Sequence, residues 1–122
     1  MNGRPGDDLS FTVDLGAPGE WAVVRIRGEL DWNSAAMLTT MAEHLWDFLH
    51  DGCLVLDLAP MTFCDSTGLG TMIAVYKGCA TRNVRFVLMS PPPSLCRLLS
   101  VTGLAAFFPV YDTLAEVLAS RH

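Results

Sequence analysis

The apolar positions of this chain change period several times along its length, and the changes mark its elements. Phe11, Val13 and Leu15 alternate with Ser10, Thr12 and Asp14, the period-two pattern of a half-buried strand. "WAVVRIR", residues 21–27, predicts a second strand, and the intervening "GAPGE" suits a turn, so the chain opens on an antiparallel hairpin. From Ser34 to His50 the residues Leu38, Met41, Leu45, Phe48 and Leu49 follow a helical stripe, with Gly52 just beyond as the expected left-handed cap. "CLVLDL", residues 53–58, is apolar at both parities, which predicts a strand buried on both faces and central in its sheet.

The helical period returns behind "CDSTG", where Leu69, Met72, Ile73, Tyr76 and Ala80 share one stripe. "VRFVLM", residues 84–89, follows the Arg82-Asn83 turn as the next strand. The resulting β-α-β unit makes its two strands parallel. "PPPS" breaks the chain, Leu95, Leu98 and Leu99 mark a third helix ended by Gly103, and "FFPVY" suits a short last strand. Thr113 and Glu116 read as the capping box of a terminal helix bearing Leu114, Val117 and Leu118. The expected fold class is α/β: a mixed β-sheet of four to five strands, antiparallel at first and then parallel, packed with about four α-helices. Residues 1–8, "MNGRPGDD", are expected to be a flexible lead, and residues 9–122 to form one domain without internal repeat or linker.

Composition narrows the classes. Of the 122 residues 51% are hydrophobic and 17% charged, enough apolar material for a buried core. The net charge of −5 and the eight scattered Lys and Arg argue against a nucleic acid as partner, since that binding rests on clustered cations. Cys53, Cys64, Cys79 and Cys96 form no C-x-x-C pair and no zinc spacing with a histidine, so they read as reduced core thiols and no metal is expected. Asp7, Asp8, Asp14 and Glu20 stand where a secretory signal would be basic and then apolar, and no run reaches membrane-spanning length. A cytoplasmic protein with no membrane contact is expected.

The candidate chemistry lies in "MTFCDSTGLG", residues 61–70. Ser66 falls between the end of a buried parallel strand and the start of a helix, the edge of an α/β sheet where ligands gather. Asp65 or Ser66 suits the helix N-cap. Gly68 and Gly70 each cost a helix about 1 kcal/mol relative to alanine, which points to a first turn kept bare for access to the serine. Open N–H groups there, with the positive end of the helix, suit a phosphate on Ser66. A nucleophilic serine is disfavoured, because "CDSTG" lacks the first glycine of G-x-S-x-G and no base is at hand. His44 and His50 read as boundary histidines of the first helix, and His122 is the terminal residue. Asp57 resembles the phosphoacceptor of receiver domains, but the acidic pair those need after their first strand is missing, so a strand-end residue bonded to backbone is expected. Neither G-K-[ST] nor G-x-G-x-x-G occurs, so no nucleotide cofactor is expected.

"RGELDWNSA" (27–35), "LVLDLAPMTFCDSTGLG" (54–70) and "LLSVTGLAAFFPVYDTLAEVL" (98–118) together resemble the successive signatures of the STAS domain, in the branch of anti-sigma factor antagonists. The resemblance implies partner switching by a protein that is no enzyme. The unphosphorylated chain would bind an anti-sigma factor with serine kinase activity and release a sigma factor, and phosphorylation would end that complex. A metal-dependent serine/threonine phosphatase would reset it. By position the phosphoacceptor is Ser66, with Asp65, Thr67 and Gly68 completing its motif and Asp31 of "GELD" near the same surface. Met61 and Phe63 are expected to flank the serine as apolar parts of the partner-binding surface, whereas Leu69 is expected in the core. The implied state is a monomer or weak homodimer. Two other readings stay open: a STAS interaction module of a sensory complex or lipid-transport system that is not phosphorylated, and a serine enzyme of unfamiliar type.

Overall fold

The computed structural model describes residues 8–120; residues 1–7 of the expected lead and the terminal His122 lie outside the described residues. Strands β1 (Ser10–Leu15) and β2 (Trp21–Leu30) form the expected hairpin, with Ser10 opposite Arg27 and Leu15 opposite Ala22. Its turn closes through Gly16 N–H donating to the Trp21 carbonyl at 2.9 Å. Helix α1 (Ala35–Phe48) leads to β3 (Cys53–Asp57), which is buried at every position and lies between two parallel neighbours. Those neighbours are β2, with Trp21 opposite Cys53, and the later strand β5 (Arg85–Met89), with Arg85 opposite Cys53.

Between β3 and β5 run β4 (Met61–Cys64) and helix α2 (Ser66–Thr81). Helix α3 (Pro93–Thr102), a 3-10 turn (Leu104–Ala106), β6 (Val110–Tyr111) and helix α4 (Leu114–Ala119) complete the fold. The path across the sheet is β1-β2-β3-β5-β6, and β4 pairs off this path with the far end of β2. The sheet thus has one strand beyond the four to five expected, for a physical reason: "MTFC" is short, does not alternate, and is held by a partner strand more than thirty residues earlier. The partner change occurs at Gly28, whose φ of 96° is left-handed and whose N–H donates to the Pro60 carbonyl at 3.2 Å.

The sheet buries both faces. On one, Val24, Ile26, Leu54, Leu56 and Leu88 meet Leu38 and Leu45 of α1, Met72 and Val75 of α2 and Leu99 of α3. On the other, Val23, Val55, Val87 and Met89 are covered by Val117 and Leu114 of α4. Each such side chain contributes about 1.5–3 kcal/mol on burial, which is why β3 is apolar from Cys53 to Leu56, with only Asp57 at its end charged.

Several local expectations change. The buried stripe of α2 is Leu69, Met72, Val75 and Cys79, while Ala80 is exposed. Gly52 is not a left-handed cap: Asp51 takes the positive φ, and a Cβ at Gly52 would overlap the carbonyl oxygens of Gly19 and Glu20. Leu15 ends the edge strand β1 and is 52% exposed. Cys53 and Cys79 are buried as expected, but Cys64 is only half-buried and Cys96 is exposed on α3. The carboxylate of Glu116 accepts from Asp112 N–H at 3.0 Å, one residue before the expected box, while Thr113 Oγ1 accepts from Glu116 N–H as expected.

Candidate functional site

β2 and β4 end side by side, with Leu30 opposite Cys64, and the two chains that leave them start α1 and α2. Asp65 is the residue between β4 and α2, and it is the N-cap of α2. Its Oδ1 accepts from Gly68 N–H at 2.7 Å, and its own N–H donates to the Leu30 carbonyl at 3.2 Å. Its Oδ2 accepts from the N–H of Trp32 at 3.3 Å. One carboxylate therefore caps α2 and ties it to the segment before α1.

That segment has its own bracing. Asp31 Oδ1 accepts from the N–H groups of Asn33 at 3.0 Å and Ser34 at 3.2 Å. The buried Ser34 Oγ accepts from Asp31 N–H at 3.0 Å and lies 2.9 Å from the Glu29 carbonyl. Residues 31–34 are thus held in a fixed turn beside the start of α2.

Ser66 is the first residue of α2, exposed, with a hydroxyl that makes no hydrogen bond among the described residues. Asp65 rather than Ser66 is the cap, so removing the Ser66 hydroxyl does not remove a cap bond. Thr67 is exposed beside it. Among the described residues the N–H groups of Ser66 and Thr67 have no partner, whereas that of Gly68 is taken by Asp65.

The two glycines have different reasons. Gly68 is buried, and a Cβ there would overlap the Leu30 carbonyl oxygen and meet Leu30 Cγ at 3.0 Å and Cys64 Sγ at 3.1 Å. It is kept small for the packing of α2 on β2, not for access to the serine. A Cβ at Gly70 would meet nothing within 4 Å. Met61 is 4% exposed and belongs to the core, so it offers no side chain to a partner; Leu69 is buried as expected. Phe63 is 48% exposed on β4. The sheet end thus gathers Asp31, Phe63, Asp65, Ser66 and Thr67, with Gly68 beneath them.

Burial, and then the charge of Asp65, push the Cys64 thiol up to about 11. It is a protonated, poor nucleophile at neutral pH. His50 lies at the opposite end of the sheet, where its N–H donates to the Gly19 carbonyl, and His44 is exposed on α1. Among the described residues no three His, Cys, Asp or Glu are grouped to hold a metal ion. No described helix is long and apolar enough to cross a membrane. Asp57 is buried and accepts from Ala59 N–H at 3.1 Å, the expected backbone bond, and also from Arg25 Nε at 3.0 Å, a partner too distant in sequence to foresee.

Sequence reasoning missed Trp32, a residue 75% exposed whose backbone N–H is bonded to Asp65. The signal was a large aromatic in the polar turn "DWNS", between a strand and a helix, where no core periodicity requires one.

The profile of the STAS domain family matches residues 13–117. The anti-sigma F factor antagonist of Paenibacillus polymyxa is 30% identical over 90 residues, 74% of this chain and 77% of that protein. The anti-sigma-B factor antagonist of Listeria monocytogenes is 27% identical over 92 residues, 75% of this chain and 80% of that protein. The crystal structure of an anti-sigma factor antagonist from Mycobacterium paratuberculosis superposes with a TM-score of 0.80 at 28% identity, covering 96% of each chain. With the α/β sheet, the capped α2 and these relatives together, the chain belongs to the STAS domain family, in the group of the anti-sigma factor antagonists.

Proposed function

We propose that this chain is an anti-sigma factor antagonist switched by phosphorylation of Ser66. The observation that carries the reading is the serine itself: an exposed hydroxyl with no hydrogen bond, at the first position of α2, behind an aspartate that already caps the helix. The fold asks nothing of this hydroxyl, which makes no hydrogen bond among the described residues. It is built to be modified.

The partner in this reading is an anti-sigma factor with serine kinase activity. The unphosphorylated chain occupies it, and the sigma factor is set free. The kinase then moves the γ-phosphoryl group of ATP to Ser66 Oγ while its own base takes the hydroxyl proton, leaving ADP and phosphoserine. The helix dipole and the N–H groups of Ser66 and Thr67 tolerate the new anion, so the domain stays folded. The complex does not. A dianion beside Asp65 faces the nucleotide phosphates that a serine kinase holds opposite its acceptor, and its desolvation adds to that repulsion. A metal-dependent serine/threonine phosphatase restores the hydroxyl.

The test is phosphate incorporation from labelled ATP by the kinase-type anti-sigma factors of the same genome, with the site located by mass spectrometry. Ser66→Ala is expected to bind the kinase and take up no phosphate. Undiminished incorporation in that variant would move the acceptor elsewhere, with Thr67 first in line.

A further inference from the structure

Trp32 is the most conspicuous side chain on the Ser66 end of the sheet, and the fold gains little from it. The residue is 75% exposed, and its ring makes no hydrogen bond or ring contact among the described residues. Its backbone, by contrast, is firmly held. Trp32 N–H is bonded to Asp65 Oδ2, and the residues on either side are braced by Asp31 Oδ1 and Ser34 Oγ. An aromatic ring on a pre-ordered turn loses little conformational freedom when it docks, and this lowers the cost of binding. Tryptophan is also among the residue types that most often dominate interface energetics.

The surroundings specify what it docks into. Asp31 and Asp65 flank the ring's attachment, and residues 28–37 and 61–72, the two segments that build this end, contain no Lys or Arg. An apolar ring rising from an acidic margin is complementary to an apolar socket rimmed by cations. A rim of that kind is compatible with the switch, because the repulsion of phosphoserine arises at the centre, where the kinase holds its nucleotide.

We infer that Trp32 is the specificity-determining anchor of the partner interface, and that the partner presents an apolar socket edged with Lys or Arg. The inference rests on the reading of Ser66 as acceptor for a kinase-type anti-sigma factor. It adds the residue that holds the kinase and the chemistry of the surface that receives it.

The experiment uses the full chain with each kinase-type anti-sigma factor of the same genome, scored by phosphate incorporation and by a binding titration. The member that phosphorylates the parent becomes the probe for Trp32→Ala and Trp32→Phe. With Trp32→Ala the dissociation constant is expected to rise at least about 30-fold, the threshold of a dominant interface residue. The KM for the chain as kinase substrate should rise with it while kcat stays unchanged. Trp32→Phe is expected to recover part of the loss. Binding of the parent is expected to weaken as salt is raised. An unchanged thermal midpoint in both variants excludes misfolding as the cause, as expected for so exposed a ring. A parent that is phosphorylated, with Trp32→Ala binding equally well, overturns the anchor and leaves the reading of Ser66 standing. Salt-independent binding overturns the cationic rim. A parent inert with every kinase overturns the reading of Ser66 and the anchor with it.

Discussion

The backbone of Gly68 lies directly against the carbonyl of Leu30, so closely that no side chain fits between them. This contact seats the first turn of α2 on the end of β2 and fixes where Ser66 emerges. Propensity alone favours alanine at both glycines of the turn, by about 1 kcal/mol each. Packing reverses that at one of them. Gly68→Ala is expected to lose about 1–3 kcal/mol by overpacking, and Gly70→Ala to melt at or above the parent temperature. Thermal melts of the two variants side by side decide it: a Gly68→Ala protein as stable as the parent would refute the close seating.

Ser66→Ala is expected to leave stability within about 0.5 kcal/mol of the parent, because the hydroxyl is exposed and unbonded. Asp65→Ala removes the cap bond to Gly68 and is expected to cost about 1 kcal/mol, with Asp65→Asn recovering most of it. Denaturant titrations on the three variants check the assignment of the cap. Equal losses in Ser66→Ala and Asp65→Ala would contradict it.

Phosphate on Ser66 is expected to leave helical content and the thermal midpoint nearly unchanged, since the anion meets the positive end of α2. Circular dichroism of the phosphorylated and parent chains tests this. Loss of helix signal would mean that the switch acts by melting α2.

The cysteines should separate by pH. Cys96 is exposed, whereas Cys64 is half-buried with its thiol held up at about 11 against an ordinary 9.0. Alkylation near neutral pH should therefore label Cys96 first, with Cys64 catching up only as the pH approaches the value of its own thiol. The sign for stability follows from the same shift. Above 9.0 the unfolded thiol releases its proton while the folded one keeps it to about 11, so the contribution of Cys64 is intact below 9.0 and is lost across that window. Faster labelling of Cys64 than of Cys96 near neutral pH would count against its burial.

What was legible in the sequence was whatever depends on near neighbours. The apolar run Cys53–Leu56 of β3, the helical stripe of α1 and the Gly103 stop of α3 each follow from local pattern, and the parallel β3 and β5 follow from the helix between them. Asp65 was within reach as a cap because caps are local. What escaped depends on chain segments brought together from afar. β4 pairs with β2 as its single strand partner among the described residues, Gly68 is forbidden a side chain by a carbonyl 38 residues earlier, and Asp57 takes its charge partner from β2. Met61 lies close to Ser66 in sequence, yet the register shift where β4 meets β2 between Gly28 and Glu29 breaks the strand alternation, so that Met61 is buried while Phe63, two residues on, is exposed.

The exchange of partners along β2 at Gly28 divides the protein into a chassis and a head. Up to Arg25 the strand is committed to β3 and through it to the parallel sheet, and beyond Gly28 it answers only to β4 and the two helix starts. Substitutions at the exposed positions of residues 29–34 and 62–67 can therefore change what the head recognises without disturbing the register of β3, β5 and β6. Duplicated copies of such a chain could diverge in the company they keep while inheriting one unaltered frame.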